Sequence, residues 1–170
     1  MNIINKNIEE VYNDIKSIEF SKNLLNYTSY EIINNNKIFY IKKNINKYLK
    51  VIPEQLINFI EGEKLCYELK EIVKKYENSF IISYECNIIS PVNLAEILQD
   101  FIIIVNIKFS IDTKNHNNTL YDTTISYKEN SNILVTLCKD IINIFINEII
   151  LNIIKNKVIC KIDNYYISKI

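Results

Sequence analysis

Arginine is absent from this 170-residue chain, and so is tryptophan. Glycine occurs once, as Gly62, histidine once, as His116, and proline twice. Each shortage excludes something. Without arginine there is no planar fork for bidentate recognition of a base edge or a phosphate. All 20 basic residues are lysine, and 20 acidic residues balance them. No cationic surplus drives phosphate binding by counterion release, so nucleic-acid binding is not expected. One glycine excludes Gly-rich phosphate loops. No G-x-S-x-G elbow and no H-E-x-x-H pair occurs. His116 lies among Asn115, Asn117 and Asn118 and reads as an exposed loop-tip residue. Nothing places it beside Cys66, Cys86 or Cys138 as a nucleophile pair needs. Glu61 and Glu63 flank Gly62 and read as a solvated loop, not an acid–base pair. The chain is therefore read as non-enzymatic, with no cofactor, metal or catalytic residue expected.

The four cysteines, Cys66, Cys86, Cys138 and Cys160, are far apart, and no C-x-x-C pair exists. Zinc needs clustered thiolates or imidazoles, which this spacing does not supply. Met1–Glu10 has no apolar core of a secretory signal. The cysteines read as small buried hydrophobes in a reducing compartment, and the expected location is cytoplasmic. Isoleucine, asparagine and lysine dominate, which is the mark of an AT-rich genome such as that of a parasite or a large DNA virus.

What the chain has in abundance is apolar surface. Hydrophobic residues make up 48%, enough for one domain over 1–170 to bury a core. The greasiest stretch is Ile133–Lys155. Its polar residues, Lys139, Asp140, Asn143, Asn147, Glu148, Asn152 and Lys155, fall three to four apart. That is the period of a helix buried on most of its circumference. Lys139, Asp140 and Glu148 lie inside it and argue against a membrane span.

Before that stretch the periodicity changes along the chain. Asn7 is placed to cap a first helix carrying Ile8, Val11, Tyr12, Ile15 and Ile18, with Glu9 and Glu10 in its first turn. A second helical piece runs from Ser21 to about Asn26. Ser29–Ile33 and Lys37–Ile45 flank Asn34-Asn35-Asn36 and read as a β-hairpin, since asparagine tolerates left-handed turns. Lys47–Ile52 extends the second strand, and Pro53–Ile60 reads as a helix ended by Gly62. Lys64–Tyr76 fits either period, with the strand reading preferred. Ser79–Ile89 and Phe101–Asp112 are β-branched strands. Thr119–Lys128 is a third, with Tyr121, Thr123, Ile125 and Tyr127 on one face. Lys157–Ile170 reads as a short tail, with an added strand as one option.

Helices, then a hairpin, then strands joined by short turns, then a long helix define an α+β protein. In its short helices Ile8–Asn26, its strand Thr119–Tyr127 and its helix Ile133–Lys155, the chain resembles the START-like, or helix-grip (SRPBCC), superfamily. That resemblance implies a curved antiparallel β-sheet wrapped around a long C-terminal helix. It departs from the family in having only Met1–Lys6 for an opening strand and only Gly62 for strand bends. The resemblance also implies a pocket between sheet and helix for a hydrophobic small molecule or lipid. Tyr67, Tyr84 and Tyr121 lie on expected strands, where a ring can line a pocket and its hydroxyl can orient a ligand. With Ile142 and Phe145 of the final helix they form the expected ligand-contacting set. The alternative is a structural or protein–protein interaction protein of an AT-rich virus or parasite, without ligand. Its extra apolar surface would then bury against a protein partner or a second copy in a homo-oligomer.

Overall fold

The computed structural model describes residues 2–34, 36–44, 64–90, 101–129 and 151–167. A short strand β1 (Asn2–Ile4) precedes two helices, α1 (Ile8–Lys16) and α2 (Ile18–Leu25). Six strands follow: β2 (Ser29–Ile33), β3 (Asn36–Asn44), β4 (Lys64–Lys75), β5 (Ser79–Ser90), β6 (Phe101–Ile111) and β7 (Thr119–Glu129). Helix α3 (Leu151–Ile167) comes last.

Capping defines the two early helices. Asn7 accepts from the Glu10 N–H at 3.0 Å, with Glu9 and Glu10 complementing the positive end of α1. Ser17 both ends α1 and starts α2, its hydroxyl accepting from the Phe20 N–H. The expected helix through Ile18 therefore breaks one residue earlier, because a serine side chain there competes for the backbone. Asn26, in the left-handed region at φ 50°, closes α2.

The strands form one curved antiparallel sheet in the order β1-β7-β6-β5-β4-β3-β2. The hairpin β2–β3 turns at Asn34, whose φ of 49° is the left-handed conformation expected of asparagine there. Lys64–Lys75 is a strand throughout, and register breaks once, between Cys66 and Tyr67. β1 closes the other rim, pairing Asn2–Ile4 with Tyr121–Thr119. The opening strand is therefore present, reduced to three residues.

One face of the sheet is the core wall. It carries Phe39 and Ile41 of β3, Leu69 of β4, and Phe80, Ile82 and Tyr84 of β5. Val105, Ile107 and Phe109 of β6 and Tyr121 of β7 continue it. Phe80, Phe109 and Tyr121 stand in one cross-strand row and stack at centroid distances of 4.6 and 5.9 Å. Tyr12 of α1 packs edge-on to Phe80 at 5.2 Å. Helix α3 packs against β7 and α2 through buried Ile162, Tyr165 and Tyr166, with Tyr165 edge-on to Phe20 at 5.0 Å.

The C-terminal tail is the clearest correction. Lys157–Ile167 is helix, not a loose tail or added strand. Val158, Ile159, Ile162, Tyr165 and Tyr166 recur at helical spacing, and nothing in this stretch breaks a helix. Of the expected helix Ile133–Lys155, only its last residues fall within α3. The rest of that stretch lies outside the described residues, as do Lys47–Ile52, the Pro53–Ile60 helix and Gly62.

Candidate functional site

The inner face of the sheet changes character along the strands. At the end covered by α1, Phe80, Ile82, Ile107, Phe109, Tyr121 and Thr123 are fully buried. Further along the same face, Cys86 of β5, Ile103 of β6 and Ile125 of β7 are only half-buried. Tyr67 of β4 is half-buried as well and packs on the core from its place beside Ile41. Strand alternation aims these four side chains at the same side as the core, so the apolar wall is less completely covered toward this end, although Phe39, Ile41 and Leu69 stay buried there.

Three charged or polar groups interrupt this wall. Lys37, Glu71 and Tyr84 are cross-strand partners on β3, β4 and β5. Lys37 Nζ lies 3.1 Å from Glu71 Oε1, and the Tyr84 hydroxyl donates to Glu71 Oε2 at 3.0 Å. Lys37 Nζ also donates to the Lys16 carbonyl at the end of α1, at 3.3 Å. The Glu71 side chain is 3% exposed; a buried carboxylate persists because both oxygens are engaged. Burial pushes the Tyr84 phenol well above its usual range, and the Glu71 charge adds to this. Tyr84 is therefore a hydrogen-bond donor at every physiological pH.

Cys86 is the next inner-face residue beyond Tyr84. Burial, and then the charge of Glu68, raise its thiol to about 12. Such a thiol lines a wall without acting as a nucleophile. Thr123 is fully buried on β7, and its hydroxyl has no hydrogen-bond partner among the described residues.

Of the five expected ligand-contacting residues, the sheet brings Tyr67, Tyr84 and Tyr121 onto one face. Their hydroxyls are differently placed. Tyr84 is bound to Glu71. Tyr121 donates to Asp163 Oδ1 of α3 at 2.7 Å and approaches the Ile159 carbonyl at 3.3 Å. Burial first, then the bond to Asp163, raises the Tyr121 phenol far above its usual range. Tyr121 thereby ties α3 to β7. Ile142 and Phe145 lie outside the described residues.

Lys37, Glu71, Thr123 and Asp163 did not emerge from the sequence as site residues. Glu71 had a signal: it falls in the same alternation phase as Tyr67, Leu69 and Val73, where a solvated strand face would not put its charge. Only pairing across strands supplies its partners.

Elsewhere the chemistry is plain. His116 is exposed in the turn between β6 and β7, and Asp122 is exposed on β7. Cys66, Cys86 and Cys160 carry free thiols. Among the described residues, no cluster of His, Cys, Asp and Glu could hold a metal, and no helix is long and apolar enough to cross a membrane. An open depression of about 470 Å³ lies between α2 and α3, lined by Glu19, Lys22, Asn23, Asn26 and Lys161. These lining residues are all of polar or charged type, and none comes from the sheet. The sequence matches no protein-family model, and no curated protein matches it significantly.

Proposed function

We propose that this protein is a non-enzymatic carrier of the helix-grip, START-like type. It holds a hydrophobic small molecule or lipid between the inner face of the sheet and its C-terminal helix. The strand order, with two helices inserted after β1 and a helix at the C-terminal end, supports the architecture. The observation that carries the ligand reading is the graded inner wall. It is sealed at Phe80, Phe109 and Tyr121 and only partly covered at Tyr67, Cys86, Ile103 and Ile125. A partly covered apolar surface can gain further burial against a ligand, at about 25 cal/mol per Å². Tyr84 and Glu71 place a hydrogen-bonded polar pair within this largely apolar wall, and small-molecule sites combine an apolar lining with a few polar groups.

Mass spectrometry of organic extracts from purified protein tests this directly. A co-purifying hydrophobic compound, displaced by a fluorescent fatty acid, is the expected result. A clean extract, together with no binding across a panel of fatty acids, sterols and phospholipids, would sink the reading. Substituting Ile103→Trp or Ile125→Trp fills the partly covered end and should lower probe affinity while leaving the melt cooperative.

A further inference from the structure

Strand β2 forms one rim of the sheet. β3 pairs with one side of it, and among the described residues nothing pairs with the other. All five of its residues are exposed, including Tyr30, Ile33 and, at 65%, Ile32. Edge strands are usually blunted by lysine, proline, a bulge or brevity. Ser29–Ile33 contains no lysine or proline, and its register with β3 is unbroken. The opposite rim, β1, is only three residues long. Among the described residues, the sheet therefore has one blunted edge and one open edge.

The hairpin determines which backbone groups are free. Ile33 and Asn36 close the two-residue turn, so they exchange hydrogen bonds, as do Glu31 with Ile38 and Ser29 with Tyr40. At the far end the Thr28 N–H also reaches the Tyr40 carbonyl, at 2.8 Å. This leaves the N–H and C=O groups of Tyr30 and Ile32 pointing away from the sheet. Their side chains are apolar and share one face. Glu31, between them, projects from the other face and accepts a hydrogen bond from the Tyr40 hydroxyl.

We infer that β2 receives an extended segment of another protein by strand addition, and that the segment reads apolar–basic–apolar. The backbone of such a segment satisfies the free groups of Tyr30 and Ile32. Its apolar residues lie beside these two side chains, and its lysine or arginine faces Glu31. A second copy fits less well. Self-pairing that engages Tyr30 and Ile32 of both copies sets Glu31 directly against Glu31, and like charges directly opposite are destabilising.

The test uses the full chain with two acetylated, amidated peptides, Thr-Val-Lys-Val-Thr and Thr-Val-Glu-Val-Thr. Amide exchange is followed by NMR. The lysine peptide should slow exchange at Tyr30 and Ile32, and should bind about fivefold tighter than the glutamate peptide. Glu31→Lys should reverse that preference. Ile32→Pro removes one outward N–H from an edge position that tolerates proline. It should abolish binding while thermal melts show a folded protein. If Ile32→Pro unfolds the chain, the Glu31→Lys reversal carries the test alone. Equal affinities for the two peptides, or no slowing at the peptides' solubility limit, would overturn the inference. Slowing at Tyr30 and Ile32 that grows with protein concentration without peptide would also overturn it, in favour of a second copy.

Discussion

Tyr84 and Glu71 stand directly opposite one another on β5 and β4, and the Tyr84 hydroxyl donates to Glu71 Oε2 at 3.0 Å. Lys37 completes the row from β3. Glu71 is the hub, because both neighbours depend on it. Glu71→Ala strands a buried phenol and a largely buried ammonium, and should cost about 2–4 kcal/mol. Tyr84→Phe leaves the ion pair in place and should cost about 1 kcal/mol. Urea melts of the two variants and their double mutant check this. A larger loss for Tyr84→Phe than for Glu71→Ala would show that Glu71 is not the centre of the row.

Stability should fall at alkaline pH, beginning with Cys86. Unfolded, this thiol ionises near its ordinary 9.0; folded, it keeps its proton up to about 12. Across that window the folded state holds more protons than the unfolded one. Its contribution is therefore complete below 9.0 and is lost as pH rises through about 12. The raised phenols of Tyr84 and Tyr121 act in the same direction from about pH 10 upward. Urea melts against pH should be flat from neutrality until this window and then decline. Cys86→Ala should remove the earliest part of the decline. An unchanged onset in that variant would assign the decline to other groups.

Thiol labelling at mildly alkaline pH should separate the cysteines. Cys160 is exposed and should modify readily. Cys86, starved of thiolate by its raised pKa, should lag well behind. Peptide mapping by mass spectrometry after a short pulse of iodoacetamide reads the order. Cys86 labelling as fast as Cys160 would mean that the inner wall opens to water far more than its burial implies.

The C-terminal helix should be integral to the fold. Ile162 is fully buried on α3, and Asn156 is exposed on the same helix. Ile162→Asp buries an unpaired charge and should prevent folding. Asn156→Asp should stay within about 0.5 kcal/mol of the parent. Tyr121→Phe, which unties β7 from Asp163, should fall between them at about 1.5–3 kcal/mol. Circular dichroism melts rank the three. A cooperative, unshifted melt for Ile162→Asp would remove α3 from the core.

Local pattern carried most of the elements. β-Branched and aromatic runs marked β5 and β6, alternation marked β7, and the Asn34-Asn35-Asn36 turn marked the β2–β3 hairpin, because these are local properties of the chain. The Lys64–Lys75 segment fits both periods in isolation. Pairing with β3 and β5 resolves it as a strand, since its backbone groups are satisfied on both sides. The helical tail was legible in Val158, Ile159, Ile162 and Tyr165, but Lys155 looked like the end of the apolar run. A helix continues through a lysine when one face stays apolar.

By itself, then, the sequence determined the class of the protein: α+β, antiparallel, lysine-balanced and without catalytic motifs. Those properties follow from composition and from patterns a few residues long. Tertiary structure alone decided that Lys37, Glu71 and Tyr84 meet, that Tyr121 belongs to Asp163, and that among the described residues nothing pairs with the outer side of β2. The row and the rim depend on strand register, and the Tyr121–Asp163 bond, across 42 positions, depends on how α3 docks against β7. Register is set by which faces bury together across the whole sheet, and no short window of sequence contains that information.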